Sequence, residues 1–428
     1  MSEKTEQGGI SKMNWLGIVL LAFSGGTIYM MPYARSSYYD ALMQGLGVTN
    51  TELGMITSFF GLLTIICYFP GGWLADRFSA KKLLTVSFLT NAILGFWYSS
   101  LPSFSVVIFI HVLFGVFCTL TFWAAFIKAT RLCAPPESQG KAFGFVEGIR
   151  RIISTGIGLV GAWLLGLAAD PVAGVKHVLM FYAAMNAVVG LGILFLMKEY
   201  DTTGGAKTGA SLGDIVKVAK ISEVWLIAII VFMAYVSFRS QDIMTAYTTN
   251  LCGLSGSLGA AVAAIRYYGL GFMAIPGGVI GDKFGFANTM IGGFVIVILT
   301  NILFILFPGT PASVGFFIVI MLSFMAAHFG MRGVYYALMT EGMVPVAATG
   351  IATGIIATLA YSPDIFAPLY QGALLDAFGK DKHTGYNYIF IISIVTAVMG
   401  IGLSMYFKSR VRVKAAAAAS ASALPQTA

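Results

Sequence analysis

A chain of 428 residues with 58% hydrophobic and only 10% charged residues cannot cover itself with a hydrated surface, because a soluble domain carries about 25% charged residues. The mean hydropathy is +0.84, and the apolar character extends along the whole length, which excludes a soluble enzyme with one anchor. The formal net charge of +8 would suit nucleic acid or an acidic partner, but the placement of the basic residues gives it another cause.

In chain order, apolar runs predict helices over about 14–42, 52–75, 82–100, 105–131, 141–168 and 178–198. The first run follows a polar lead and is long, so it reads as a span rather than a removed signal peptide. A polar stretch at 199–221, with Glu199, Asp201, Gly204, Gly205 and Lys207, reads as a cytoplasmic linker. Six more runs follow at about 222–249, 257–281, 287–307, 313–340, 347–375 and 386–407. Most reach the roughly 20 residues that cross a bilayer. The tail 408–428 is basic, then low-complexity Ala/Ser, and is expected to be disordered in the cytoplasm. The predicted class is an all-α membrane protein of twelve transmembrane helices, in six-helix bundles at 1–198 and 222–407. Cys67, Cys118 and Cys133 lie in or beside predicted helices and Cys252 outside them, with no disulfide framework or metal spacing.

The two halves repeat. Pro70-Gly71-Gly72-Trp73-Leu74-Ala75-Asp76-Arg77-Phe78 returns as Pro276-Gly277-Gly278-Val279-Ile280-Gly281-Asp282-Lys283-Phe284, and Pro135, Gly140 and Gly144 return as Pro345, Gly350 and Gly354. Six spans separate the two Pro-Gly-Gly motifs, so both face one side and the repeats are parallel. Of 26 Lys and Arg, 17 fall in segments on that side, whereas only Lys176, Lys380 and Lys382 fall opposite. The positive-inside rule therefore places both termini and the linker in the cytoplasm. The basic excess is topological and implies no nucleic acid.

The motif Gly71–Lys82 resembles the signature loop between helices 2 and 3 of the major facilitator superfamily, and Gly277–Gly285 resembles its counterpart between helices 8 and 9. The resemblance covers about 14–407. It implies the major facilitator fold and assigns Asp76, Arg77 and Asp282 to gating, as a latch of the outward-facing state. Lys81 and Lys82, with Arg77, can also hold anionic lipid.

Six arginines remain inside predicted spans: Arg35, Arg150, Arg151, Arg239, Arg266 and Arg332. The acids there are fewer, Asp40, Glu147, Asp242 and Asp364, with Glu341 near a helix end. Charge in a bilayer is costly and faces a cavity or a partner. The positive surplus therefore points to a small anionic substrate. Arg35 and Arg239 occupy matching places, 41 and 43 residues before Asp76 and Asp282, and two guanidinium forks can each bind an oxyanion bidentately. The alternative is pairing with Asp40 and Asp242 in their own helices. This pair resembles the arginines on helices 1 and 7 of the organophosphate:phosphate antiporter family. The chain has Glu147-Gly148-Ile149-Arg150-Arg151 where that family carries a histidine. Phosphate esters, carboxylates and sulfonates all remain open.

Glu147 reaches Arg150 and Arg151 at i+3 and i+4, for gating or charge balance, for substrate contact, or as plain structure. Arg332 and His328 are four apart on one predicted helix; the histidine titrates near neutrality or is simply hydrogen-bonded. Asp364, beside Pro363, is the first candidate for proton coupling, or else neutralises Arg332 or Arg266. The aromatics Tyr38, Tyr39, Trp123, Tyr267, Tyr335 and Tyr361 accompany these charges as candidate substrate walls. No cofactor, metal or nucleotide loop is implied, and the chain is not read as an enzyme. The expected activity is secondary transport of a small organic anion by alternating access, with a coupling proton or counter-anion, by a monomer in the inner membrane. The alternatives are a neutral or cationic solute with internally paired arginines, or a ligand sensor with the same fold.

Overall fold

The computed structural model describes residues 13–135, 138–199, 212–307, 309–345, 348–379 and 381–422. Most of the expected linker (200–211), the end of the tail (423–428) and Lys4, Lys12, Lys207 and Lys380 lie outside these residues. The described elements are all helical. Ten are long and apolar enough to cross a membrane, and the divided first span and the third complete the twelve.

Six spans are continuous: the second (Asn50–Arg77), third (Ala80–Ser99), fifth (Gln139–Leu167), sixth (Pro171–Leu196), ninth (Phe286–Leu306) and twelfth (Lys382–Ser422). The others are interrupted. The first runs Trp15–Thr27, turns through Ala34–Ser36 and resumes at Tyr39–Leu46. The seventh repeats this plan as Ser222–Arg239, Ser240–Ile243 and Met244–Asn250. The fourth divides into Phe104–Thr119 and Trp123–Leu132, and the tenth into Val314–Val334 and Leu338–Glu341. The eighth consists of Gly256–Tyr267, Gly269–Met273 and Ala274–Phe284, and the eleventh of Thr349–Ala360 and Pro363–Ala377. Two causes are legible. Pro32 removes a backbone donor from the first span, and Ser240, Gln241 and Asp242 offer the seventh competing side-chain bonds.

The chain forms two compact units. The first comprises Met1–Lys207, Leu254–Gly269 and Pro368–Asp376; the second comprises Thr208–Gly253, Leu270–Ala367 and Ala377–Ala428. The boundary differs from the expected halves, since the start of the eighth span and the end of the eleventh pack with the first unit. Inside each unit the Pro-Gly-Gly motif performs the same packing. A Cβ on Gly71 would lie 3.0 Å from the Thr119 carbonyl oxygen, and one on Gly277 would lie 2.2 Å from that of Gly330. Glycine lets the second span approach the fourth, and the eighth approach the tenth, backbone to backbone.

The twelfth helix continues through 408–422, where alanine, the strongest helix former, is abundant. Glu223 tethers it, 3.7 Å from Arg410 Nη2 and 3.4 Å from Lys414 Nζ.

Candidate functional site

In the first unit, Arg35 sits in the turn that interrupts the first span, 3% exposed. Its guanidinium lies over the Tyr39 ring, 5.1 Å from the centroid, and Nη2 donates to the Pro368 carbonyl at 3.4 Å. Nε and Nη1 are buried without a hydrogen-bond partner. Among the described residues no carboxylate pairs with Arg35, Asp40 included. These two nitrogens carry three N–H donors without an acceptor among the described residues, on a charge met by the Tyr39 ring and the Pro368 carbonyl but by no carboxylate.

Aromatic hydroxyls flank it. Tyr39 donates to Asn50 Oδ1 at 2.8 Å, and the Tyr38 and Tyr182 hydroxyls share a hydrogen bond of 2.7 Å. Tyr33 stands against Phe60 and Tyr267, with centroid separations of 5.2 and 6.3 Å. Trp123 instead stacks on Phe126. Glu147 holds both of its arginines: Oε1 accepts from Arg150 Nη2 at 2.8 Å and Arg151 Nε at 3.1 Å, and Oε2 accepts from Arg150 Nε at 2.5 Å. One carboxylate thus faces two guanidinium groups. Of the charges singled out from the sequence, this unit holds Arg35, Arg150, Arg151 and Arg266 together with Asp40 and Glu147.

Of the same charges, the second unit holds Arg239 and Arg332 together with Asp242, Asp364 and Glu341. Arg239, 1% exposed, ends the seventh span's main helix. Its Nη2 lies 2.6 Å from Asp242 Oδ2, and its Nε lies 3.3 Å from Asp364 Oδ1. Tyr235 donates to Asp364 Oδ2 at 3.2 Å, and Gln241 donates to Asp242. The Asp242 pairing was one reading of the sequence; the partnership with Asp364 was not assigned, because the two residues are far apart in the chain. Tyr235 was also missed, although it lies one helical turn before Arg239.

Tyr361 packs its ring 4.9 Å from that of Tyr235 and its hydroxyl 3.4 Å from Tyr336, which places it beside this network. Tyr335 is buried. His328 is also buried, bonded through Nε2 to Ser237 at 2.9 Å and through Nδ1 to the Phe324 carbonyl at 2.9 Å, while Arg332, four residues on, is exposed. These two do not share one environment.

Asp76, Arg77 and Asp282 are exposed at helix ends. Arg77 stacks 3.8 Å above Trp73, and Lys128 Nζ donates to the Ala75 carbonyl at 2.5 Å, tying the fourth span to the motif.

Interrupted spans that bring buried charge to their breaks, in a chain built from parallel repeats, are the arrangement of a secondary transporter. The chain belongs to the major facilitator superfamily, whose family model matches residues 15–368. It is 26% identical over 371 residues to the inner membrane protein YqcE of Escherichia coli (strain K12), covering 83% of this chain and 86% of that one. A shorter stretch of 83 residues, 19% of this chain and 18% of the relative, is 29% identical to the probable galactarate/D-glucarate transporter GudP of Bacillus subtilis (strain 168). The crystal structure of the nucleoside transporter NupG superposes with a TM-score of 0.71 at 14% identity, covering 92% of this chain and 98% of that one; this likeness shows the fold alone. The protein is a multi-pass membrane transporter and not an enzyme.

Proposed function

We propose that the transported solute is a small organic anion and that Arg35 receives its charged head. The observation that carries this reading is the Arg35 guanidinium, buried with Nε and Nη1 unbonded and no carboxylate at hand. An unpaired buried charge is expensive, and a partner arriving from outside removes that cost. An oxyanion of a carboxylate, sulfonate or phosphate ester supplies the acceptors that the guanidinium fork matches. The GudP likeness supports an acidic solute. Tyr38 and Tyr39 flank the site.

The Arg239 network is assigned a different task. Two carboxylates face one guanidinium, so a proton on Asp364 would leave Arg239 matched one-to-one with Asp242. Alternating binding and release of that proton gives a coupling site, with Tyr235 and Tyr361 beside it. The basic excess supports cytoplasmic placement of both termini.

A second reading, a neutral solute, is favoured by the pairing of Arg239. Thermal-shift and calorimetric titration of the purified protein with D-glucarate, glucose 6-phosphate, methanesulfonate and uridine separates the two. Binding of at least one anion but not uridine is expected. Uridine binding with no anion response would overturn the anionic reading.

A further inference from the structure

The first unit contains a contact that the solute site does not use. At the start of the second span, Asp376 from the end of the eleventh span accepts four hydrogen bonds. Its Oδ1 takes the Asn50 backbone amide at 3.1 Å and Asn50 Nδ2 at 2.7 Å; its Oδ2 takes the Thr51 amide at 2.7 Å and Thr51 Oγ1 at 2.5 Å. The first amides of a helix have no partner inside it and form the positive end of its dipole. The helix satisfies part of this need by itself: Thr49 Oγ1 accepts from the Glu52 amide at 3.2 Å, and Glu52 accepts from the Thr49 amide at 2.8 Å. The Asn50 and Thr51 amides between them are left for Asp376, which is distant in the chain.

Pro368, Gly372 and Asp376 are spaced by four and lie on one helical face. All three meet the second span. A Cβ on Gly54 would lie 2.1 Å from the Pro368 carbonyl oxygen, and one on Gly372 would lie 2.1 Å from that of Asn50. The Pro368 carbonyl also accepts from Arg35, and Asn50 accepts from Tyr39.

These contacts join one repeat to the other at the end of the second span opposite its Pro-Gly-Gly motif. A transporter that works by alternating access must part its repeats at each end in turn. Asp376 suits a contact that is made and broken, because it is exposed. When it separates, water replaces its hydrogen bonds at little cost.

We propose that Asp376 is a positioning residue for transport: a clasp that holds this end shut by capping the second span, and whose release opens it. The inference does not depend on the identity of the solute. Ser58 offers a reporter. It lies one turn beyond Gly54 on the same helix, 8% exposed, and its hydroxyl makes no hydrogen bond, so Ser58→Cys is close to isosteric. In a Cys67→Ser background, a membrane-impermeant maleimide is added from the side of Asn50. Asp376→Asn should speed labelling by roughly tenfold, the loss expected for one charge-assisted hydrogen bond. Thr51→Val should speed it less, and buried Cys118 should stay unlabelled in both. Unchanged labelling of well-folded Asp376→Asn overturns the clasp. If that variant does not fold, unchanged labelling in Thr51→Val overturns it. Labelling of Cys118 together with the reporter also overturns it, since that marks general loosening.

Discussion

Arg239 meets Asp364 across two spans, Nε to Oδ1 at 3.3 Å, while its repeat counterpart Arg35 has no carboxylate partner among the described residues. The two repeats keep an arginine at equivalent breaks but surround it differently. In one the charge is answered by the protein, and in the other it awaits an answer. On the proposed reading, that asymmetry divides the work between solute recognition and coupling.

Removing Arg239 would strand two buried carboxylates. Arg239→Ala should destabilise the protein by about 3–5 kcal/mol, the cost of breaking a buried pair from one side. Arg239→Ala with Asp364→Asn should recover part of that loss, because one of the stranded charges is gone. Thermal unfolding in detergent measures both. Equal destabilisation by the single and double variants would show that Asp364 is answered by another group.

Asp364→Asn alone should fold, since Arg239 keeps Asp242. If Asp364 carries the coupling proton, uptake in vesicles should lose its dependence on an imposed pH gradient while solute binding persists. Gradient-driven uptake at the wild-type level would remove Asp364 from the coupling role.

Much of the fold was legible because bilayer physics leaves strong marks: long apolar runs, basic loops and a repeated glycine motif. Within the candidate site, local pairs were legible, as with Glu147 and its arginines, or Arg239 and Asp242. Contacts between distant segments were not, because nothing in the sequence tells Asp364 that it will face Arg239, or Asp376 that it will cap Asn50. The breaks in the first and seventh spans were not read from hydropathy, which continues through them, although Pro32 and Ser240-Gln241-Asp242 mark them.

Neighbouring glycines should behave differently. Gly277→Ala drives a Cβ to 2.2 Å from the Gly330 carbonyl oxygen, whereas a Cβ on Gly278 meets nothing within 4 Å. The first should cost about 1–3 kcal/mol as backbone is forced to shift, and the second should be nearly neutral. Comparable melting temperatures for the two variants would argue against the close crossing of the eighth and tenth spans.

Asp76 is exposed at a helix end, within the motif that the family resemblance assigns to gating. Asp76→Asn should therefore slow transport while leaving solute affinity near wild type. Affinity and transport lost in proportion would place Asp76 in solute binding or folding. In the same assay system, a cysteine at Lys82 should be labelled from the cytoplasmic side only.

The most direct test of the central claim is calorimetric affinity at Arg35, using whichever of D-glucarate, glucose 6-phosphate and methanesulfonate the wild-type protein binds. Charge-assisted hydrogen bonds contribute roughly 1.5–3 kcal/mol each, so Arg35→Ala should weaken binding by about one to two decades. Arg35→Lys keeps the charge but loses the fork, and should recover little of it. Near-wild-type affinity in a well-folded Arg35→Ala protein would contradict the account.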